Sequence, residues 1–171
     1  EREIGTLEQL IVTPIKPYQL ILGKIIPFLI TGFMEILLVT GIMIFWFKIP
    51  VRGSYLLLLF SSLLFVMTTL GLGLFISTIS RTQQQAMMVA MFGLMMPMIY
   101  LSGFAFPIEN MPQSIQYLTY AIPLRYFISI IRGIVLKGIG FADLWKDILM
   151  LFLFGVSILI ASSLRFKKRL E

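Results

Sequence analysis

The chain has 171 residues, of which 58% are hydrophobic and 13% charged, with a net charge of +6 and a mean hydropathy of +0.96. That balance excludes an ordinary soluble domain and indicates a polytopic membrane protein, in which lipid solvates most side chains and a helical bundle replaces a globular core. With neither cysteine nor histidine present, disulfides, thiolate nucleophiles, histidine acid–base chemistry and the common zinc sites are excluded as well, and the positive charge, placed at span ends and the C-terminus, suits lipid head groups and not nucleic acid.

Residues 1–19 are polar and end in prolines. Thr6 and Gln9 fit a T-x-x-Q capping box, while Thr13-Pro14 and Pro17 stop the helix, leaving about Leu7 to Val12. Ile4, Leu7, Leu10 and Ile11 fall on one face, with Glu1, Glu3, Glu8 and Gln9 polar. So short a helix does not stand alone in water, so the membrane surface, the bundle or a partner protein must hold it.

Four spans are expected after it, at 20–47, 55–80, 86–102 and 144–164. The first contains Lys24, Pro27 and Glu35. Glu35 is the one acidic residue well inside a span, which makes it a functional candidate by default. It is read first as a protonated or interhelically hydrogen-bonded group facing the bundle interior, and second as an ion-coupling group. The second span carries Ser61, Ser62, Thr68, Thr69, Gly71 and Gly73, small residues that allow close helix packing or form the wall of a translocation path. A polar turn (SRTQQQ) leads into the third, whose methionines between Met87 and Met98 suit either ordinary packing or an adaptable surface for hydrophobic cargo. Asp143 is the expected N-cap of the last span, and RFKKRLE forms a basic tail over 165–171.

Residues 103–143 are neither loop nor clean span. SGFAFPIENMP is broken by Gly and Pro, and Ser114 to Leu136 is apolar enough to cross but carries Pro123, Arg125 and Arg132. Each arginine near mid-span would cost about 2.5–3.5 kcal/mol. Counting this segment as a fifth span would also put the basic tail opposite Arg2, Lys16 and Lys24, against the positive-inside rule. The segment is therefore expected to be an outward-facing re-entrant helical hairpin. Arg125 and Arg132, seven residues apart with Ser129 between them, share a helix face. They are expected to pair with Glu109, Asp143 or lipid phosphates, or to rim an exit.

The residues also carry a resemblance. EREIGTLEQLIVTPIKPYQLILGKIIP resembles the cytoplasmic loop of type-2 ABC transporter permeases of the drug or multidrug type, and LSGFAFPIENMP followed by IPLRY resembles their re-entrant region before the last span. The likeness runs in order through the chain and implies an all-α bundle forming the C-terminal portion of such a permease, with an N-terminal span or spans and an extracytoplasmic domain ahead of it. It implies a coupling helix contacting a separate ATPase subunit through Glu1, Arg2, Glu3, Gly5, Thr6, Glu8 and Gln9. Arg81 to Gln85 is either a second contact or a solvated loop.

By the same resemblance, Ser102, Gly103, Phe104, Pro107, Met111, Pro112, Pro123 and Arg125 belong to the re-entrant region. The chain would work as a homo- or heterodimer in the cytoplasmic membrane of a prokaryote, with both ends cytoplasmic and a hydrophobic or amphipathic substrate. No G-x-x-x-x-G-K-[ST] occurs, so no catalytic residue or metal site is expected here, and ATP and Mg would be bound by the partner. The rivals are a secondary transporter or channel using Glu35, and a membrane scaffold that recruits a soluble partner.

Overall fold

A computed structural model describes residues 17–167. The expected coupling helix, its Thr6–Gln9 box, the contact residues from Glu1 to Gln9 and the end of the basic tail lie outside the described residues.

Every regular element among the described residues is helical. Helix α1 covers Pro17–Phe45. Pro27 sits inside it, where the lost N–H is tolerated because membrane helices re-satisfy freed carbonyls locally. The carbonyl freed is that of Gly23, four residues before the proline; one turn after it the Thr31 hydroxyl donates to the Pro27 and Phe28 carbonyls at 3.2 and 3.0 Å, a local back-bond of the kind that accompanies helix bending. The chain turns at Lys48 (φ 54°) and enters α2, Tyr55–Ile79, where the Ser54 hydroxyl accepts from the Leu57 amide.

Helix α3, Gln83–Leu101, begins three residues before the expected boundary. Thr82 caps it by accepting from the Gln85 amide at 3.2 Å, while Gln85 Oε1 reaches back to the Arg81 amide at 2.9 Å. This satisfies two donors that would otherwise be orphaned at the helix start. Its middle, Val89–Met95, winds as a π-helix, with the Met96 amide bonded to the Met91 carbonyl five residues back. Pro97 follows directly. Its missing N–H removes one i→i−4 bond, and the wider turn accommodates the ring.

Three short pieces come next: a 3₁₀ turn at Ile108–Asn110, α4 over Gln113–Thr119, and α5 over Pro123–Arg132, which continues as a π turn to Lys137. The two helical arms meet at 87°. Helix α6, Phe141–Lys167, closes the described chain. Asp143 is not its N-cap: the helix starts after Gly138 (φ 68°) and Gly140, so Asp143 falls inside the first turn. There its charge still complements the helix dipole.

Among the described residues four helices are long and apolar enough to cross a membrane, namely Ile25–Phe45, Tyr55–Ile79, Gln83–Leu101 and Phe141–Ser163, and the bent pair lies between the last two in sequence. Its place in the bundle follows from its contacts. Gly53, in the α1–α2 loop, donates to the Ile134 carbonyl at 2.9 Å, and Arg52 Nη1 donates to that of Leu136 at 3.3 Å. The bent pair therefore shares one end of the bundle with the α1–α2 loop. From there α5 penetrates to the middle of its neighbours, with Phe127 stacked on Phe65 of α2 (4.2 Å between centroids) and Tyr126 against Phe154 of α6. This is re-entrant geometry. The core it builds joins Leu58, Tyr126, Ile130, Ile134, Val135, Leu144, Ile148 and Leu151.

Candidate functional site: the cavity of the re-entrant hairpin

Small side chains let α2 and α6 approach closely. Ser61 and Thr68 are fully buried. A Cβ at Gly155 would come within 2.9 Å of Thr68 Oγ1, and one at Gly71 within 3.2 Å of Ile158. Ser162 Oγ donates to the Gly71 carbonyl across the seam at 3.2 Å. Thr69 and Gly73 lie off this seam. With α2 and α6 fixed, α5 seats against both, and a cavity of about 540 Å³ opens between α5, the end of α3, the 102–109 loop and the start of α6.

The walls of this cavity are of two kinds. Ile108, Ile128, Leu136, Ile139 and Leu144 are apolar, while Glu109, Arg125, Arg132 and Lys137 bring charge, with Gln116, Ser102 and Ser129 polar between them. Ser102 is buried, and its hydroxyl accepts from the Phe104 amide, shaping the turn in which Gly103 takes φ 86°. A side chain at Gly103 would be strained there and would meet Ile108 at 3.2 Å. Pro107 lines the same cavity. Phe104 is exposed, the Met111 carbonyl accepts from Gln116 Nε2 at 2.8 Å, Pro112 opens α4, and Pro123 is the buried first residue of α5. Those last four shape the hairpin without lining the cavity.

The arginines do not hold the expected carboxylates. Arg125, half-buried, donates from Nη1 to the Thr119 hydroxyl and to the Gln116 carbonyl, and its guanidinium lies 3.8 Å from the centroid of the Tyr120 ring. Arg132 donates from Nη2 to the Gly103 carbonyl at 3.0 Å. The physical reason is that helices end here: carbonyls in the last turn of α4 and in the 102–103 turn after α3 accept from these guanidinium groups, which satisfies them without bringing in a second charge. The carboxylate that does engage this face is Asp147, whose Oδ2 accepts from Ser129 Oγ at 2.6 Å. Gln116, Thr119, Tyr120, Lys137 and Asp147 were missed as hairpin residues: the first three reach Arg125 only because the chain folds back between α4 and α5, Lys137 joins through the cavity wall, and Asp147 bonds Ser129 from 18 residues away.

Glu35 lies on the exposed face of α1, not in the interior formed by the described helices. Neighbouring Met34, Leu38, Val39 and Ile42 are exposed with it. A second cavity, of about 610 Å³, is apolar and lies between α1, α2 and the start of α6, lined by Phe33, Leu56, Phe60, Leu63 and Phe141 among others. No group of His, Cys, Asp and Glu side chains able to hold a metal occurs among the described residues.

Among the described residues, four apolar spans with a re-entrant helix pair whose long arm packs against the second and the fourth define a polytopic α-helical membrane domain. The family model described as "ABC-2 type transporter" matches residues 1–136, and the chain belongs to that family. It is 41% identical over all 171 residues to a "Probable multidrug ABC transporter permease YbhS" of Escherichia coli strain K12, and 40% identical over 148 residues, 86% of this chain, to "Probable multidrug ABC transporter permease YbhR" of the same strain. A more distant relative, "ABC transporter G family member 20" of Dictyostelium discoideum, is 25% identical over 160 residues, 94% of this chain and 22% of its own length. The chain spans 45% of the length of YbhS and 40% of that of YbhR. No solved structure matches it significantly.

Proposed function

We propose that this chain is part of the membrane-spanning permease subunit of an ATP-driven ABC exporter, forming a translocation path with a second permease subunit for hydrophobic or amphipathic molecules. The observation that carries the reading is the full-chain identity to YbhS, joined to a helix order in which residue 17, the 80–85 turn and the end of α6 lie opposite the re-entrant hairpin. That end carries Arg81 and the last turn of α6, where the sequence becomes basic at Arg165 and Lys167, and is the cytoplasmic one in this reading. The membrane is the inner membrane of a prokaryote, as suits relatives from Escherichia coli.

The segment from Glu1 to Gln9 then docks on a separate ATPase subunit that binds ATP and Mg. Closure of the ATPase pair pushes this segment as a rigid body, and the push switches the bundle between inward and outward access. The permease contributes shape and coupling, and the hydrolytic chemistry belongs to the ATPase.

The test is co-purification of the intact natural polypeptide from native membranes in mild detergent. An ATPase with a Walker-A sequence should accompany it, and Glu8→Lys should release that ATPase and stop export while leaving the permease folded. An intact permease that retains no ATPase, or a Glu8→Lys variant that keeps both association and export, overturns the reading.

A further inference from the structure

We propose that the cavity of the re-entrant hairpin binds a phosphate-bearing head group. The argument starts from charge. The hairpin end of the bundle holds Lys48, Arg52, Arg125, Arg132, Lys137 and Lys146 against only Glu109, Asp143 and Asp147. Three of those cations, Arg125, Arg132 and Lys137, line one cavity with a single carboxylate, Glu109. A cleft with low-dielectric walls focuses such an excess of one sign on whatever enters it.

The cations are also differently committed. Arg125 is spent on the α4 carbonyl, the Thr119 hydroxyl and the Tyr120 ring. Arg132 is exposed and holds the Gly103 carbonyl through one nitrogen, which fixes the guanidinium plane and leaves its other donors for a planar or tetrahedral oxyanion. The exposed Lys137 side chain, five residues further along the same wall, adds a point charge. Ser129 lies on the same face, its hydroxyl already given to Asp147.

The surroundings match the head-group layer. Phe104, Phe106, Tyr117, Tyr120, Phe141 and Trp145 are all exposed around this end, the arrangement of aromatic side chains found where a protein crosses the membrane–water interface. A volume of about 540 Å³ accommodates a phosphodiester with its polar cap, and Ile128, Leu136 and Leu144 offer apolar contact to the first carbons of an attached chain. The site is independent of the transport reading, since it needs only this hairpin and an interface.

The experiment uses the intact natural polypeptide in nanodiscs of phosphatidylcholine with and without phosphatidylglycerol, with bound lipid quantified by native mass spectrometry after delipidation. Phosphatidylglycerol should be retained in preference to phosphatidylcholine. Arg132→Gln and Lys137→Gln should each lower that retention about fivefold, the effect of one basic residue near an anionic surface. Glu109→Gln should raise it by a similar factor, a gain that misfolding cannot produce, and Lys146→Gln, outside the cavity, should leave it unchanged. Millimolar glycerol 3-phosphate or inorganic phosphate that displaces the lipid shows that the cavity takes soluble phosphates, whereas retention in their presence assigns it to bilayer lipid. Equal retention of the two lipids, indifference to Arg132→Gln and Lys137→Gln, an equal loss in Lys146→Gln, or no gain in Glu109→Gln overturns the proposal.

Discussion

Helices α2 and α6 bury 28% and 22% of their most apolar stretches, whereas α1 and α3 bury only 6% each. Mean hydropathy does not track this difference: α1, at 2.2, is the most apolar of the four and α3, at 1.3, the least, yet they are equally little buried. What separates them is the size of the residues along one stripe. Thr68 and Gly71 on α2 meet Gly155 and Ser162 on α6, and Ser61 is fully buried two turns before Thr68; with no hydrophobic drive between helices in lipid, close backbone approach is what holds them. The α5 arm completes this unit by filling the space near Leu58 and Leu151. Helix α1 meets α2 tightly at Gly32, where a Cβ would stand 2.9 Å from Val66, and otherwise presents large side chains outward. Helix α3 does the same with Met87, Met91, Phe92 and Met95. One region is a self-contained packing unit and the other a pair of faces available to lipid or to further protein.

The hardest blow to that contrast is a bulky residue placed in each region. Gly155→Leu forces the α2–α6 seam apart against Thr68 and should cost about 3 kcal/mol, read as a lowered midpoint in detergent-titrated unfolding. Gly41→Leu on α1, where a Cβ meets nothing within 4 Å, should leave the midpoint unchanged within error. If both variants lose stability alike, α1 belongs to the packing unit and the distinction fails. A smaller effect is expected at the edge of the unit. Arg125→Ala removes the bonds to Thr119 and Gln116 and the contact with Tyr120, together about 2 kcal/mol. It should appear as faster amide exchange confined to α4 and the first turn of α5, with α1 and α3 unaffected.

Much of this was legible beforehand, for physical reasons that differ from place to place. The hairpin could be read because two arginines and a proline inside an apolar stretch conflict with a lipid-facing span, and that conflict is local in sequence. The tight seam could be read on α2 from its run of small residues, although not which of them face α6: Thr69 and Gly73 sit in the same run and lie outside it. The rotation of α1 could not be read, because its apolar residues surround the whole circumference and leave no stripe to orient Glu35. The partners of Arg125 and Arg132 were hidden because two of them are carbonyls, which have no letter in the sequence, while Thr119 and Tyr120 come within reach of Arg125 only through the fold-back between α4 and α5. The earlier start of α3 was visible in principle, since Thr82 and Gln85 repeat the T-x-x-Q spacing noticed at Thr6 and Gln9.

The finest test of the comparison is Ser162→Ala. Ser162 is buried, and its hydroxyl bonds the Gly71 carbonyl across the seam. That carbonyl belongs to α2, so the bond is a second call on an already used acceptor and its loss strands no backbone group. Interhelical hydrogen bonds in membranes average about 0.6 kcal/mol, and the alanine methyl fills nearly the same volume, so no cavity adds to the loss. The expected outcome is therefore a drop of about 0.6 kcal/mol in unfolding free energy. Ser157→Ala, on the exposed face of the same helix with its hydroxyl turned back to the Phe154 carbonyl, should show no drop. A loss at Ser162 several times larger would mean that the polar contact, and not the close approach of small residues, holds α2 to α6.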